Sequence, residues 1–67
     1  MYRYVITLDE IDDPRLLKSI LEEVGDTFAR INQKKREAVI DTSCSIAEIC
    51  EVLSENGYEI EDLEMIN

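Results

Sequence analysis

The sequence predicts an α+β domain in which two helices cover one face of a four-stranded antiparallel sheet. The expectation rests on the order of its hydropathy periods, on two well-marked helix starts, and on a basic turn between two alternating arms. A period-two segment, a helical segment, two more period-two segments, a second helical segment and a last strand give the order β-α-β-β-α-β. That is the split arrangement of the ferredoxin-like fold. Right-handed crossovers place strands one and three at the centre of the sheet and strands two and four at its edges.

Residues 1–8, MYRYVITL, put Tyr2, Tyr4, Ile6 and Leu8 on one side and Arg3, Val5 and Thr7 on the other, as a strand does. From Pro14 the period changes: Leu17, Ile20, Leu21 and Val24 fall at helical spacing, with Lys18, Glu22 and Glu23 outside. Asp13 reads as the N-cap and Pro14 as the first helical residue, because proline has no N–H to leave orphaned there. Gly25 stands where a left-handed residue would close the helix. Residues 26–32 and 37–42 read as a hairpin across Gln33, Lys34, Lys35 and Arg36, a basic cluster that makes a solvated turn. Ala29, Ile31, Ala38 and Ile40 share its inner face, while Phe28 and Val39 point the other way. Ser45 and Glu48 form the S-x-x-E capping box of the second helix. On that helix Ile46, Ile49, Cys50 and Leu53 make the apolar stripe, with Cys50 as a small core residue. Asn56 and Gly57 end it. Tyr58, Ile60, Leu63 and Met65 make the last strand, whose slip in alternation predicts a bulge at Glu61 or Asp62. Glu59, Glu61, Asp62 and Glu64 charge that edge against strand addition.

The 67 residues make a single domain, 1–67, of a size at which the core supplies roughly 3–5 kcal/mol of net stability. A deep substrate cavity is disfavoured. Hydrophobic residues at 45% and charged ones at 34% are a globular balance. Sixteen acidic against seven basic side chains leave a net charge of −9, which repels phosphate backbones and argues against nucleic-acid binding. No apolar run has the length of a membrane span or a signal segment, so the expectation is a cytoplasmic protein without membrane insertion. Two cysteines, Cys44 and Cys50, are too few for a disulfide framework. Six helical residues turn through about 240°, so the two thiols face apart. Histidine is absent, which removes Cys/His and Ser/His nucleophilic pairs and imidazole zinc sites.

INQKKREAVID followed by SIAEICEVLSENGYEI resembles the second half of heavy-metal-associated domains, the copper- and zinc-handling modules of metallochaperones and metal-transporting ATPases. In that family a hairpin strand leads to a helix with an S-x-x-E start, which ends in a Gly-Tyr step into strand four, as at Gly57 and Tyr58. The likeness covers nearly the whole chain, with a first helix shorter by about one turn. The family's metal motif, M-x-C-x-x-C, lies in the loop after strand one. Registering Lys18, Ser19 and Ile20 on the family's helix puts Ile11 at the methionine and Asp13 and Leu16 at the two cysteines. Soft Cu(I) requires sulfur ligands, so the resemblance implies the fold without the thiolate chemistry. Ile11 remains as a buried apolar anchor for the loop.

The same loop carries Asp9, Glu10, Asp12 and Asp13, four carboxylates within five residues, which are candidates for a hard cation such as Ca²⁺ or Mg²⁺. Acids at a helix N-terminus are also favoured by the macrodipole, each by about 0.3–1 kcal/mol, and no D-x-D-x-D-G loop is present. Cys44 precedes helix two, where the helix field favours a thiolate and Asp41 opposes it. Asp12, Pro14 and Leu17 also resemble the D-x-P-G-x-L start of ACT domains, which bind amino acids at dimer interfaces; Arg15 stands at the glycine position. The glycine-rich anion loop of acylphosphatases is not present, and no catalytic residue emerges.

The expected function is therefore that of a non-enzymatic module, without a cofactor, acting by protein–protein contact with a partner that the residues do not identify. The contact surface is the helix-free sheet face, where Val5, Phe28 and Val39 cluster beside Arg3, Arg30 and Glu37, and weak self-association would use the same face. Metal handling through the acidic loop or Cys44, and ACT-like sensing of a small ligand, are the alternatives.

Overall fold

In the computed structural model, which describes residues 1–66, the chain runs β1 (Tyr2–Leu8), α1 (Pro14–Glu22), β2 (Thr27–Asn32), β3 (Glu37–Thr42), α2 (Ile46–Glu55) and β4 (Ile60–Met65). The sheet is antiparallel with order β2-β3-β1-β4. The two crossovers thus leave β1 and β3 central, and the fold is ferredoxin-like.

Alternation fixes the layers. Tyr4, Ile6 and Leu8 of β1, Ala29 of β2, and Ala38 and Ile40 of β3 are buried beneath Leu17 and Leu21 of α1 and Ile49 and Leu53 of α2. Small alanines on β2 and β3 let the helices approach where larger side chains from β1 fill the remaining space. Two buried polar groups satisfy each other. Thr27 donates its hydroxyl to the Gly25 carbonyl at 3.1 Å and lies 2.8 Å from the hydroxyl of Thr42, which accepts the Cys44 N–H at 3.0 Å.

Asp13 caps α1 by accepting the Leu16 N–H at 3.1 Å, with Pro14 in the first turn. The other end of this helix departs from expectation. Gly25 does not take a left-handed conformation; Asp26 does, with φ 58°. The helix tightens through a Val24 N–H bond to the Leu21 carbonyl, which postpones the reversal to Asp26, and an aspartate tolerates that region better than most residues. Ser43 then ties Asp26 down by donating its hydroxyl to Oδ2 at 2.9 Å.

At α2 only the serine half of the capping box forms, with Ser45 Oγ accepting the Glu48 N–H at 3.4 Å. The far end is a full Schellman closure. Gly57, at φ 85°, donates to Ser54, and Tyr58 donates to Leu53. Cys50 is half-buried rather than core, since the buried stripe narrows to Ile49 and Leu53. The last strand begins at Ile60 instead of Tyr58, whose N–H is used by the helix closure. The bulge falls at Glu61, because Thr7 pairs with Asp62 while Leu8 pairs with Ile60. It returns Leu63 and Met65 to the helix side, opposite Ile6 and Tyr4, although both stay exposed at the sheet edge; Tyr2, at the start of the central β1, is exposed as well.

Candidate functional site

Strand register arranges the helix-free face as three rows that cross the four strands. The first row reads Phe28, Asp41, Arg3 and Ile66 from the β2 edge to the β4 edge. The Ile66 N–H bonds the Arg3 carbonyl at 2.8 Å and so extends the β4 ladder by one residue. The second row reads Arg30, Val39, Val5 and Glu64, and the third Asn32, Glu37, Thr7 and Asp62. Phe28 is 61% exposed and Ile66 58%, whereas Val5 and Val39, in the next row on the two central strands, are half-buried. Phe28 is thus the prominent apolar group of the predicted cluster, and the two valines form a flatter floor.

Charge on this face is ordered. Arg3 grips Asp41 through both carboxylate oxygens, at 2.7 and 3.2 Å. That hydrogen bond, reinforced by the charges of Arg3 and Arg30, holds the Asp41 carboxyl below its ordinary range. Arg30 and Glu64 lie at opposite edges and, among the described residues, neither has an ion-pair partner.

The free edge of β2 is occupied by α1. Lys18 Nζ donates to the Ala29 carbonyl at 2.8 Å, Glu22 Oε2 accepts the Ala29 N–H at 3.1 Å, and the two side chains pair with each other at 3.2 Å. A lysine and a glutamate one helical turn apart thus imitate the donor and acceptor of a neighbouring strand. The Ala29 N–H, followed by Lys18, pulls the Glu22 carboxyl below its usual value.

At the β1–α1 loop the four carboxylates serve different purposes. Asp9 Oδ1 accepts the Glu59 N–H at 3.1 Å and Asp13 is the helix cap. Asp12 raises Glu10 above its ordinary value, by charge first and by hydrogen bonding second. They border a shallow depression of about 240 Å³ that reaches the Gly57–Tyr58 step. The Tyr58 hydroxyl is pushed up there by burial and by Asp13 and Asp12. No three carboxylate or thiol side chains among the described residues are placed to hold a metal ion. Of the hard-cation candidates Asp9, Glu10, Asp12 and Asp13, Asp9 and Asp13 each give one carboxylate oxygen to a backbone N–H. Of the three positions registered on the M-x-C-x-x-C pattern in the sequence, Ile11 is buried at 4% exposure beneath the loop, Asp13 caps the helix, and Leu16 is 54% exposed.

The basic turn is less free than a solvated cluster. Gln33 Nε2 donates to the Ile11 carbonyl at 2.9 Å, and Arg36 Nη1 donates to the Asp9 carbonyl at 3.2 Å and pairs with Glu61 at 3.5 Å. These ties stitch the acidic loop to the hairpin and the bulge. Cys44 lies at the other end of the sheet, where Thr42 stands opposite Tyr2, and its thiol donates to the Gly25 carbonyl at 2.8 Å. Cys44 and Cys50 are both free thiols. Comparison with family models, with curated proteins and with solved structures finds no match for the chain.

Proposed function

We propose that the chain is a non-enzymatic binding module that works by protein contact through the helix-free face of its sheet. Its scaffold resembles heavy-metal-associated domains without their thiolate pair. The observation that carries the reading is Phe28, 61% exposed beside the Arg3–Asp41 pair and one diagonal step from Val39. A large aromatic left in water forgoes about 1.5–3 kcal/mol of burial, and a partner would recover it. The Arg3–Asp41 pair, Arg30 and Glu64 supply the polar surround that gives such a contact direction.

A photo-crosslinking residue placed at Phe28 and, as a control, at Ser19 on the exposed side of α1 tests this in cells. Discrete adducts from position 28 alone, lost on adding Val39→Lys, are the expected result. Adducts equally frequent from both positions, or none from either, overturn the reading. Tight stoichiometric uptake of Cu(I) or Zn²⁺ would overturn it as well and restore a metal-handling role, with Cys44→Ser telling whether that thiol carries it.

A further inference from the structure

We propose that the occupant of the helix-free face is a second copy of the same chain, packed sheet to sheet about a two-fold axis that runs along the strands between β1 and β3. This deepens the reading above and rests on it. A two-fold axis so placed keeps each row in place and reverses its order. In the middle row, Arg30-Val39-Val5-Glu64 then lies over Glu64-Val5-Val39-Arg30 of the second copy. Each arginine meets a glutamate, and valine meets valine at the centre. In the first row Phe28 lies over Ile66, and Asp41 over Arg3. In the third, Asn32 lies over Asp62 and Glu37 over Thr7. No position meets a like charge, although the chain as a whole carries −9. An isologous interface requires this self-complementarity.

Sheet twist keeps the centre in register and offsets the edges. Packed sheets cross at about 30°, which displaces the central strands, about 2.4 Å from the axis, by about 1.4 Å and the edge strands, about 7 Å from it, by about 4 Å. Successive outward residues on a strand are about 6.7 Å apart, so Val39 stays over Val5, while Arg30 meets Glu64 across an edge offset that its long side chain spans. Arg30 and Glu64 cannot satisfy each other within one chain, since three strand spacings of about 4.8 Å separate them, and both lack partners among the described residues. The face measures roughly 20 by 20 Å, which puts the interface in the small class and the dimer in the micromolar-to-millimolar range.

Charge reversal tests the pairing directly, with folding of each variant checked by amide shift dispersion. Arg30→Glu alone sets glutamate over glutamate, and Glu64→Arg alone sets arginine over arginine; each should weaken association about tenfold or more in sedimentation equilibrium. Mixing the two single variants restores both cross-pairs, and so does the double variant Arg30→Glu/Glu64→Arg. Association recovered in the mixture is the expected result. In isotope-filtered NMR, contacts between Phe28 and Ile66 are also expected, and at about 14 Å across one sheet they can arise only between chains. A wild-type chain that stays monomeric at ~1 mM, where even a millimolar dimer is populated, overturns the proposal. So does association unchanged by the single reversals. If crosslinks from position 28 to a different protein persist in that case, self-pairing fails alone; if position 28 is silent, the docking face fails with it.

Discussion

The buried hydroxyls of Thr27 and Thr42 show how much a single atom decides in a core this small. Thr27 donates to Gly25, which leaves the Thr42 proton directed at Thr27, and Thr42 in turn accepts from Cys44. Thr27→Val orphans the Thr42 donor at 0% exposure, which should cost about 1–3 kcal/mol. Thr42→Val releases the Cys44 N–H and should cost about 1 kcal/mol or slightly more. The double variant leaves no orphan hydroxyl, so urea unfolding should give a loss smaller than the sum; strict additivity would refute the coupling. Glu22 and Glu10 supply a second test at this scale, with opposite signs. The folded value of Glu22 is lowered by the Ala29 N–H and then Lys18. Its contribution is present above the unfolded carboxylate value and is lost as pH falls through the folded one. Glu10 is raised by Asp12, so its contribution is present at low pH and lost as pH rises through the folded value. NMR titration should place Glu22 below and Glu10 above an unfolded glutamate, and Glu10→Gln should stabilise the protein at neutral pH. In the sequence Lys18 and Glu22 read only as outward charges. Their actual partner is the backbone of a strand edge, which carries no side-chain signal.

Helix ends separate what a residue type permits from what a position demands. Gly25 and Gly57 look alike in the sequence, each following an amphipathic run, yet only Gly57 holds a positive φ. At Gly25 a Cβ would meet nothing within 4 Å, so Gly25→Ala should stabilise by about 0.4–1 kcal/mol through the unfolded chain. Gly57→Ala forces alanine into the left-handed region and should cost about 1–2 kcal/mol. Paired thermal melts check this: a destabilising Gly25→Ala would mean that the reversal is not where Asp26 places it. The N-caps, the Gly57 closure and the bulge were legible because each is a local arrangement with its own residue signature. The Gly25 end was not, because Asp26 is secured by Ser43, seventeen positions away. The Ser45 box was half legible for the complementary reason: the serine acts within its own turn, while Glu48 is exposed and free to choose water.

At the scale of the whole molecule, strand order was legible because periodicity and crossover handedness act on the entire chain. The rows of the outer face were not, since they exist only once register aligns four strands. Net charge works at the same scale and opposes the fold. Nine uncompensated negative charges sit on a body of 27 × 21 × 17 Å, while the ion pairs among the described residues are Arg3–Asp41, Lys18–Glu22 and Arg36–Glu61, none of them deeply buried. At ~0.01 M salt the screening length is about 30 Å, so every charge acts on every other; at ~0.15 M it is about 8 Å and only neighbours interact. Screening costs the three pairs a share of the 0–1 kcal/mol that each exposed pair is worth, but it removes long-range repulsion summed over the whole surface. The repulsive sum involves many more pairs than the attractive one, so added sodium chloride should raise the urea midpoint across this range. The same screening lets two chains of charge −9 approach, while cross-pairs such as Arg30 over Glu64 lie within the remaining screening length. Association and stability should therefore rise together with salt up to ~0.15 M. A stability that fell with salt would mean that the local pairs, and not the net charge, govern the fold.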